Sequence, residues 1–118
     1  MTAVVKPIHV DPENPFAGQG WVLLDIGGDV GALVVTMPVE WVGEEVEIRP
    51  AGVADRHDHA HHPHVAVVER PVAQRRIPSL VFGELVEGRY DLCPKGTDDV
   101  RLRVEVLGGQ VATAEWPT

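Results

Sequence analysis

The sequence predicts an all-β fold, an antiparallel two-sheet β-sandwich of about eight strands. Three observations carry this. Short valine-rich runs recur along the chain, each bounded by turn residues, and the 118 positions include 12 Gly and 10 Pro, the punctuation of many short strands and tight turns. Residues 100–106 alternate strictly, with Val100, Leu102, Val104 and Val106 on one face and Arg101, Arg103 and Glu105 on the other, which is the period of a half-exposed strand. No segment sustains the 3.6-residue period of an amphipathic helix.

In chain order, residues 1–20 read as an extended proline-rich arm. Pro7, Pro12, Pro15, Gly18 and Gly20 remove backbone donors and add chain entropy, which disfavours a helix or a central strand. Val4, Val5, Ile8 and Val10 suit an edge strand or a crossing to a neighbouring subunit. Residues 21–118 form one domain. Residues 21–26 read as a buried strand, Gly27-Gly28-Asp29 as a turn, and residues 30–37 as a second strand, together a hairpin. The two glycines do not make a phosphate loop, because β-like sequence flanks both sides and no Lys-Ser/Thr opens a helix.

Pro38 ends the second strand, and residues 39–45 offer the one place for a short helical turn. Residues 45–49 alternate as a half-exposed strand. A polar, histidine-bearing loop follows, then a strand at 65–69, Pro71 as punctuation, and an edge strand at 72–77. Residues 78–83 connect into 85–88. Residues 89–93 form the next strand, 94–99 a polar turn, and 100–106 the alternating strand. Gly108-Gly109 then turns the chain, and residues 110–116 return antiparallel.

Composition bounds the function. The formal charge of −8 repels phosphate backbones and anionic lipid, so neither nucleic acid nor membrane is an expected partner. A single cysteine, Cys93, excludes an internal disulfide and any multi-cysteine metal site. No apolar run approaches the ~18 residues of a membrane span, and the first residues lack the basic and apolar regions of a signal peptide. The expectation is a cytoplasmic protein.

The concentrated chemistry lies at residues 57–64, which hold five of the six histidines. Zn²⁺, Ni²⁺ and Cu²⁺ accept neutral imidazole nitrogen. In an extended segment His57, His59 and His61 share one face. His62 and His64 form a second pair on the opposite face, with Pro63 stiffening the turn between them. Asp55 and Asp58 are candidate ligands or acceptors that would fix imidazole tautomers. His64 abuts a strand and is the best-placed fixed ligand. The same composition also suits a plain polar surface loop, or a cluster titrating near neutrality. Cys93, in an alternating strand, reads as a small buried apolar residue rather than a nucleophile. Asp25 and Asp29 read as turn formers, and Glu44, Glu45 and Glu47 as a solvated face. Trp21, Trp41 and Trp116 read as core or interface anchors, with Trp41 the most exposed.

Leu85, Gly88-Arg89-Tyr90-Asp91-Leu92, the alternating residues 100–106, Gly108-Gly109-Gln110 and residues 111–116 together resemble the closing part of prealbumin-like sandwich modules, the carboxypeptidase-regulatory-like and Cna-B-like domains. The resemblance implies a prealbumin/immunoglobulin-like sandwich. Residues 24–34, Leu-Asp-Ile-Gly-Gly-Asp-Val-Gly-Ala-Leu-Val, are similar to a group of small actinobacterial proteins, some of which are called phospholipases. This chain has no serine in a nucleophile elbow and no His-Asp pair beside a Ca²⁺ loop. The expectation is therefore a non-enzymatic module binding a divalent metal through His57, His59, His61, His62 and His64. The competing expectation is a structural or protein-interaction domain, dimerising through its arm or a sheet edge. An enzyme would need a metal with an open position and an acid or base such as Asp58 or Glu69 across a cleft.

Overall fold

The structure is a computed structural model, and it describes residues 25–52 and 62–118. Eight strands form two four-stranded sheets. β1 (Val30–Thr36), β4 (Val68–Val72), β5 (Arg75–Val86) and β8 (Val111–Glu115) make sheet A in the order β4-β5-β1-β8. β2 (Glu45–Pro50), β3 (His64–Ala66), β6 (Gly88–Pro94) and β7 (Leu102–Val106) make sheet B in the order β3-β2-β6-β7. The expected two-sheet β-sandwich is what the chain forms. Between the sheets lie Leu33, Val35 and Met37 from the β1 run, Leu80, Phe82 and Leu85 from β5, Val46 and Ile48 from β2, and Leu92, Val106 and Trp116. Alternation explains the assignment, since every second residue of each strand turns inward.

The two sheets are joined at both sides. The expected strand at 65–69 is a single run that changes sheet at Val67, which is fully buried. Val67 donates its N–H to Glu44 O at 2.9 Å and accepts from Gly43 N–H at 3.0 Å, so the corner leaves no unpaired backbone. At the opposite side, residues 107–110 carry the chain from β7 to β8. There the Gly109 N–H donates to Val30 O at 2.9 Å and the Ala32 N–H to Gln110 O at 3.0 Å.

Four sequence expectations are corrected. Residues 110–116 do not return against residues 100–106: β8 crosses to the other sheet and runs parallel to β1, Ala32 opposite Val111 and Thr36 opposite Glu115. Two glycines signal a reversal but not its plane. The expected strand at 21–26 lies outside the described residues except for Asp25 and Ile26, which are not in a strand; the expected pairing with β1 is replaced by β5 and β8 on its two sides, with the Gly27–Val30 bridge at the turn. Residues 72–77 are not one strand but the tip of the β4–β5 hairpin. Val72 faces Arg75, and Ala73 sits at φ 57°, a conformation that Gly or Asn normally signals. Residues 78–83 are no connection: they lie within β5, the longest strand at 12 residues. Pro71 likewise lies inside a strand, the edge strand β4, where a missing donor is tolerated. The short helical turn is present as a 3-10 helix at Val39–Trp41. The division into a 1–20 arm and a 21–118 domain falls partly outside the described residues.

Candidate functional site at the outer face of sheet B

β2 and β3 pair antiparallel with Glu47 opposite His64, Val46 opposite Val65, and Glu45 opposite Ala66. Val46 points into the core, so Glu45, Glu47 and His64 share the outer face by strand parity. On the other side of β2, Cys93 of β6 stands opposite Glu47 and Asp91 opposite Arg49. Charged residues dominate this face, with Cys93 and Ala66 among them.

His64 is exposed on the edge strand. Its Nε2 lies 3.4 Å from Glu45 Oε1, and the same carboxylate oxygen takes Lys95 Nζ at 3.2 Å. His62 is half-buried just before β3. His57, His59 and His61 lie outside the described residues, as do Asp55 and Asp58. Among the described residues, no three His, Cys, Asp or Glu side chains come together in a way that could hold a metal ion. Of the expected ligand set, the described residues thus comprise His64, which lies beside Glu45, and His62, half-buried before β3.

A second cluster lies deeper on this face, under the turn after β6. Arg49 donates from Nη1 to Asp98 at 3.2 Å, and from Nη2 to Glu47 at 3.1 Å and to the Thr97 carbonyl at 2.8 Å. Glu47 in turn accepts from the Gly96 N–H at 3.3 Å. Burial acts to lower the Arg49 guanidinium, but the Asp98 hydrogen bond, the Cys93 thiolate formed at the high pH where an arginine titrates, and the Glu47 and Asp98 carboxylates outweigh it, and the group sits above its ordinary value. Asp91, also buried, accepts from Arg103 Nε at 3.1 Å.

Cys93 is fully buried but does not belong to the apolar core cluster. It lies on the charged side of β6, opposite Glu47. Burial pushes its thiol up; Arg49 pulls it back, and Asp91, Glu47 and Asp98 add to the rise. It is a protonated thiol rather than an activated one.

Of the remaining candidates, Glu69 is on β4 in the other sheet, 3.3 Å from Arg76 Nε. Trp41 is half-buried against the core rather than exposed, because Trp116 and Arg101 cover its ring. Trp21 lies outside the described residues. An open groove lined by Gly52, Arg89, Tyr90, Arg103 and Glu105 borders the start of the β2–β3 connection, and neither His62 nor His64 lines it. The Glu45–His64 contact was within reach of the sequence, since both flanking strands were readable. Their pairing was not, and pairing is what converts a solvated glutamate into a histidine's neighbour.

No protein-family model, no curated protein and no solved structure matches the chain. No helix among the described residues is long and apolar enough to cross a membrane.

Proposed function

We propose that the chain is a non-enzymatic β-sandwich module that captures a divalent transition metal, Zn²⁺, Ni²⁺ or Cu²⁺, on the histidine-bearing connection between β2 and β3. The observation that supports this reading is His64. Its backbone is held in a strand, and one ring nitrogen lies against the Glu45 carboxylate. A carboxylate beside one imidazole nitrogen orients the ring and leaves the other nitrogen, here Nδ1, for a metal. Lys95 shares the carboxylate, so Glu45 serves better as an orienting partner than as a ligand. His64 is the fixed ligand of the set, and His57, His59, His61 and His62 are the candidates to complete it.

The test is calorimetric titration of the full, chelator-stripped chain with each ion, beside a variant with all five histidines replaced by alanine. Stoichiometric binding lost in that variant supports metal capture. Fractional binding, or binding that survives in the variant, overturns it.

A second reading, an interaction module forming a homodimer or docking a protein partner, is favoured by Val68 and Val72. Both are exposed on β4, an edge of sheet A. Sedimentation at increasing concentration, with and without Val72→Asp, separates it. Association that the aspartate abolishes, without metal dependence, supports this reading over the first.

A further inference from the structure

The edges of the two sheets are β4 and β8 in sheet A, and β3 and β7 in sheet B. An edge strand carries unpaired N–H and C=O groups and invites another strand unless something guards it. β3 has only three residues, His64–Ala66, and follows Pro63. β4 contains Pro71, which offers no N–H, beside the charged Glu69 and Arg70. β7 carries Arg103 and Glu105. β8, Val-Ala-Thr-Ala-Glu, has neither a proline nor a basic residue, and its one charge, Glu115, stands at its end.

Hydrogen bonds at both ends fix which way the β8 backbone faces. The Ala32 N–H donates to Gln110 O at 3.0 Å, and the Trp116 N–H to Thr36 O at 2.9 Å. Backbone direction alternates along a strand, so Ala112 and Ala114 also turn their groups to β1. Val111, Thr113 and Glu115 turn theirs away, and among the described residues no strand meets them. The core is also incompletely covered along this flank. On the opposite flank Val67 is fully buried where the chain changes sheet. Here Leu102 and Val104 of β7, and Ala112 and Ala114 of β8, pack against the core but are only half-buried, and Thr113 is exposed.

The formal charge of −8 opposes contact between copies in general, so a surface on which two copies meet must keep carboxylates apart. β8 does this when it pairs with itself. Antiparallel about a two-fold axis at Thr113, it puts Thr113 opposite Thr113 of the second copy, and Val111 opposite Glu115. No like charges meet, and a Thr–Thr pair at the centre is favourable. The outward N–H and C=O groups of Val111, Thr113 and Glu115 then satisfy one another across the axis. Beside β8 on the same outer face, β1 presents Ala32, Val34 and Thr36, all uncharged.

We propose that β8 is a self-association edge, at which a second copy of the chain pairs antiparallel around Thr113 and joins the two A sheets into one. The contact closes at a dimer, because each copy's β8 edge is then used. The proposal rests on the interaction reading rather than on metal capture, and it puts the contact on a different edge from Val68 and Val72.

The experiment is sedimentation equilibrium of the full chain with a chelator present, for the parent and for Thr113→Pro, Val72→Asp, Val111→Lys and Val111→Glu. The Thr113 N–H bonds nothing on β1, so proline removes an edge donor and leaves the sheet paired; the thermal midpoint verifies that the variant is folded. The expected result is a concentration-dependent dimer, weakened at least about 10-fold by Thr113→Pro and retained in Val72→Asp. The register adds that Val111→Lys, opposite Glu115, tightens the dimer about 3-fold or more, and that Val111→Glu loosens it by as much. This second pair decides the matter if the proline variant does not fold. A parent that stays monomeric overturns the proposal. So does association that survives Thr113→Pro in a folded variant, or that ignores both Val111 substitutions. Association lost only in Val72→Asp moves the contact to β4, which overturns this proposal and keeps the interaction reading. Amide exchange gives an independent readout: Val111, Thr113 and Glu115 are expected to be protected in the dimer and to lose that protection on dilution. Protection that dilution does not change would mean that the chain covers its own edge, and it overturns the proposal as well.

Discussion

The indole rings of Trp41 and Trp116 meet with centroids 5.1 Å apart and planes inclined at 60°. Trp41 belongs to the 3-10 helix after β1, and Trp116 follows β8, its backbone N–H donating to Thr36 O at 2.9 Å. The pair therefore fastens the end of the last strand to the turn that leaves β1, and the Arg101 guanidinium lies 5.6 Å from the Trp41 ring centroid. Trp41→Ala is expected to cost about 3 kcal/mol and Trp41→Phe less than about 1.5 kcal/mol. Urea denaturation of the two variants checks the difference.

Ala73 holds a left-handed conformation, φ 57°, at the tip of the β4–β5 hairpin. A Cβ in that region costs on the order of 1 kcal/mol. Ala73→Gly is expected to raise the denaturation midpoint, despite the added freedom of the unfolded glycine. A lowered midpoint would show that the hairpin tip carries no such strain.

Gly108 has no room for a side chain. A Cβ there would sit 2.2 Å from the Gly28 carbonyl oxygen and 2.7 Å from the Asp29 Cα. These are backbone atoms that cannot rotate away, so Gly108→Ala must separate the β7–β8 corner from the turn before β1. A loss of about 3 kcal/mol is expected, against little change for Gly96→Ala beyond its positive-φ cost. Thermal unfolding of both variants makes the comparison.

Cys93 and Tyr90 both have their ionisation pushed up by burial. The unfolded chain therefore loses these protons first. Their contribution to stability is full below the ordinary thiol value of about 8.5 and falls as pH rises through it toward the folded values. Stability should decline above about pH 8.5, and Cys93→Ser or Cys93→Ala should flatten the first part of that decline. Thiol-reagent labelling of the native protein should be slow and should track unfolding.

If Glu45 orients His64, Glu45→Gln should weaken metal binding about 10-fold or more while leaving the stoichiometry unchanged. Glu69→Gln, on the other sheet, should leave affinity unchanged. Titration calorimetry reads both. Equal effects from the two would remove Glu45 from the site.

Alternation made most of the fold legible. Residues 102–106 showed their inward face directly, and Leu102, Val104 and Val106 pack against or within the core; Val100, expected on the same face, lies before β7 and is exposed. Partnership was not legible. Gly108-Gly109 reads the same for a hairpin as for a corner between sheets, and only the packing of Ala112 and Ala114 against the core puts β8 beside β1. Pro71 and Pro78 read as breaks, yet both lie within strands, because the pairing around each dispenses with its donor. Ala73 carries no turn signature, so the β4–β5 hairpin was invisible. At the candidate site the histidines were visible as composition, whereas Glu45 became relevant only once β3 was laid against β2.

The pairing of β8 with β1 also sets an order of events during synthesis. Val30 to Thr36 are made early, but their second neighbour is residues 111–115, and Trp116 closes the core after that. A growing chain therefore holds β1 with one side unsatisfied until those residues leave the ribosome. Its apolar strands must wait together, incompletely folded, for that moment. Loops closed over such long sequence separations form slowly. The nascent chain is thus most exposed to aggregation just before it is able to fold, and a truncation that removed residues 111–116 would strand it there.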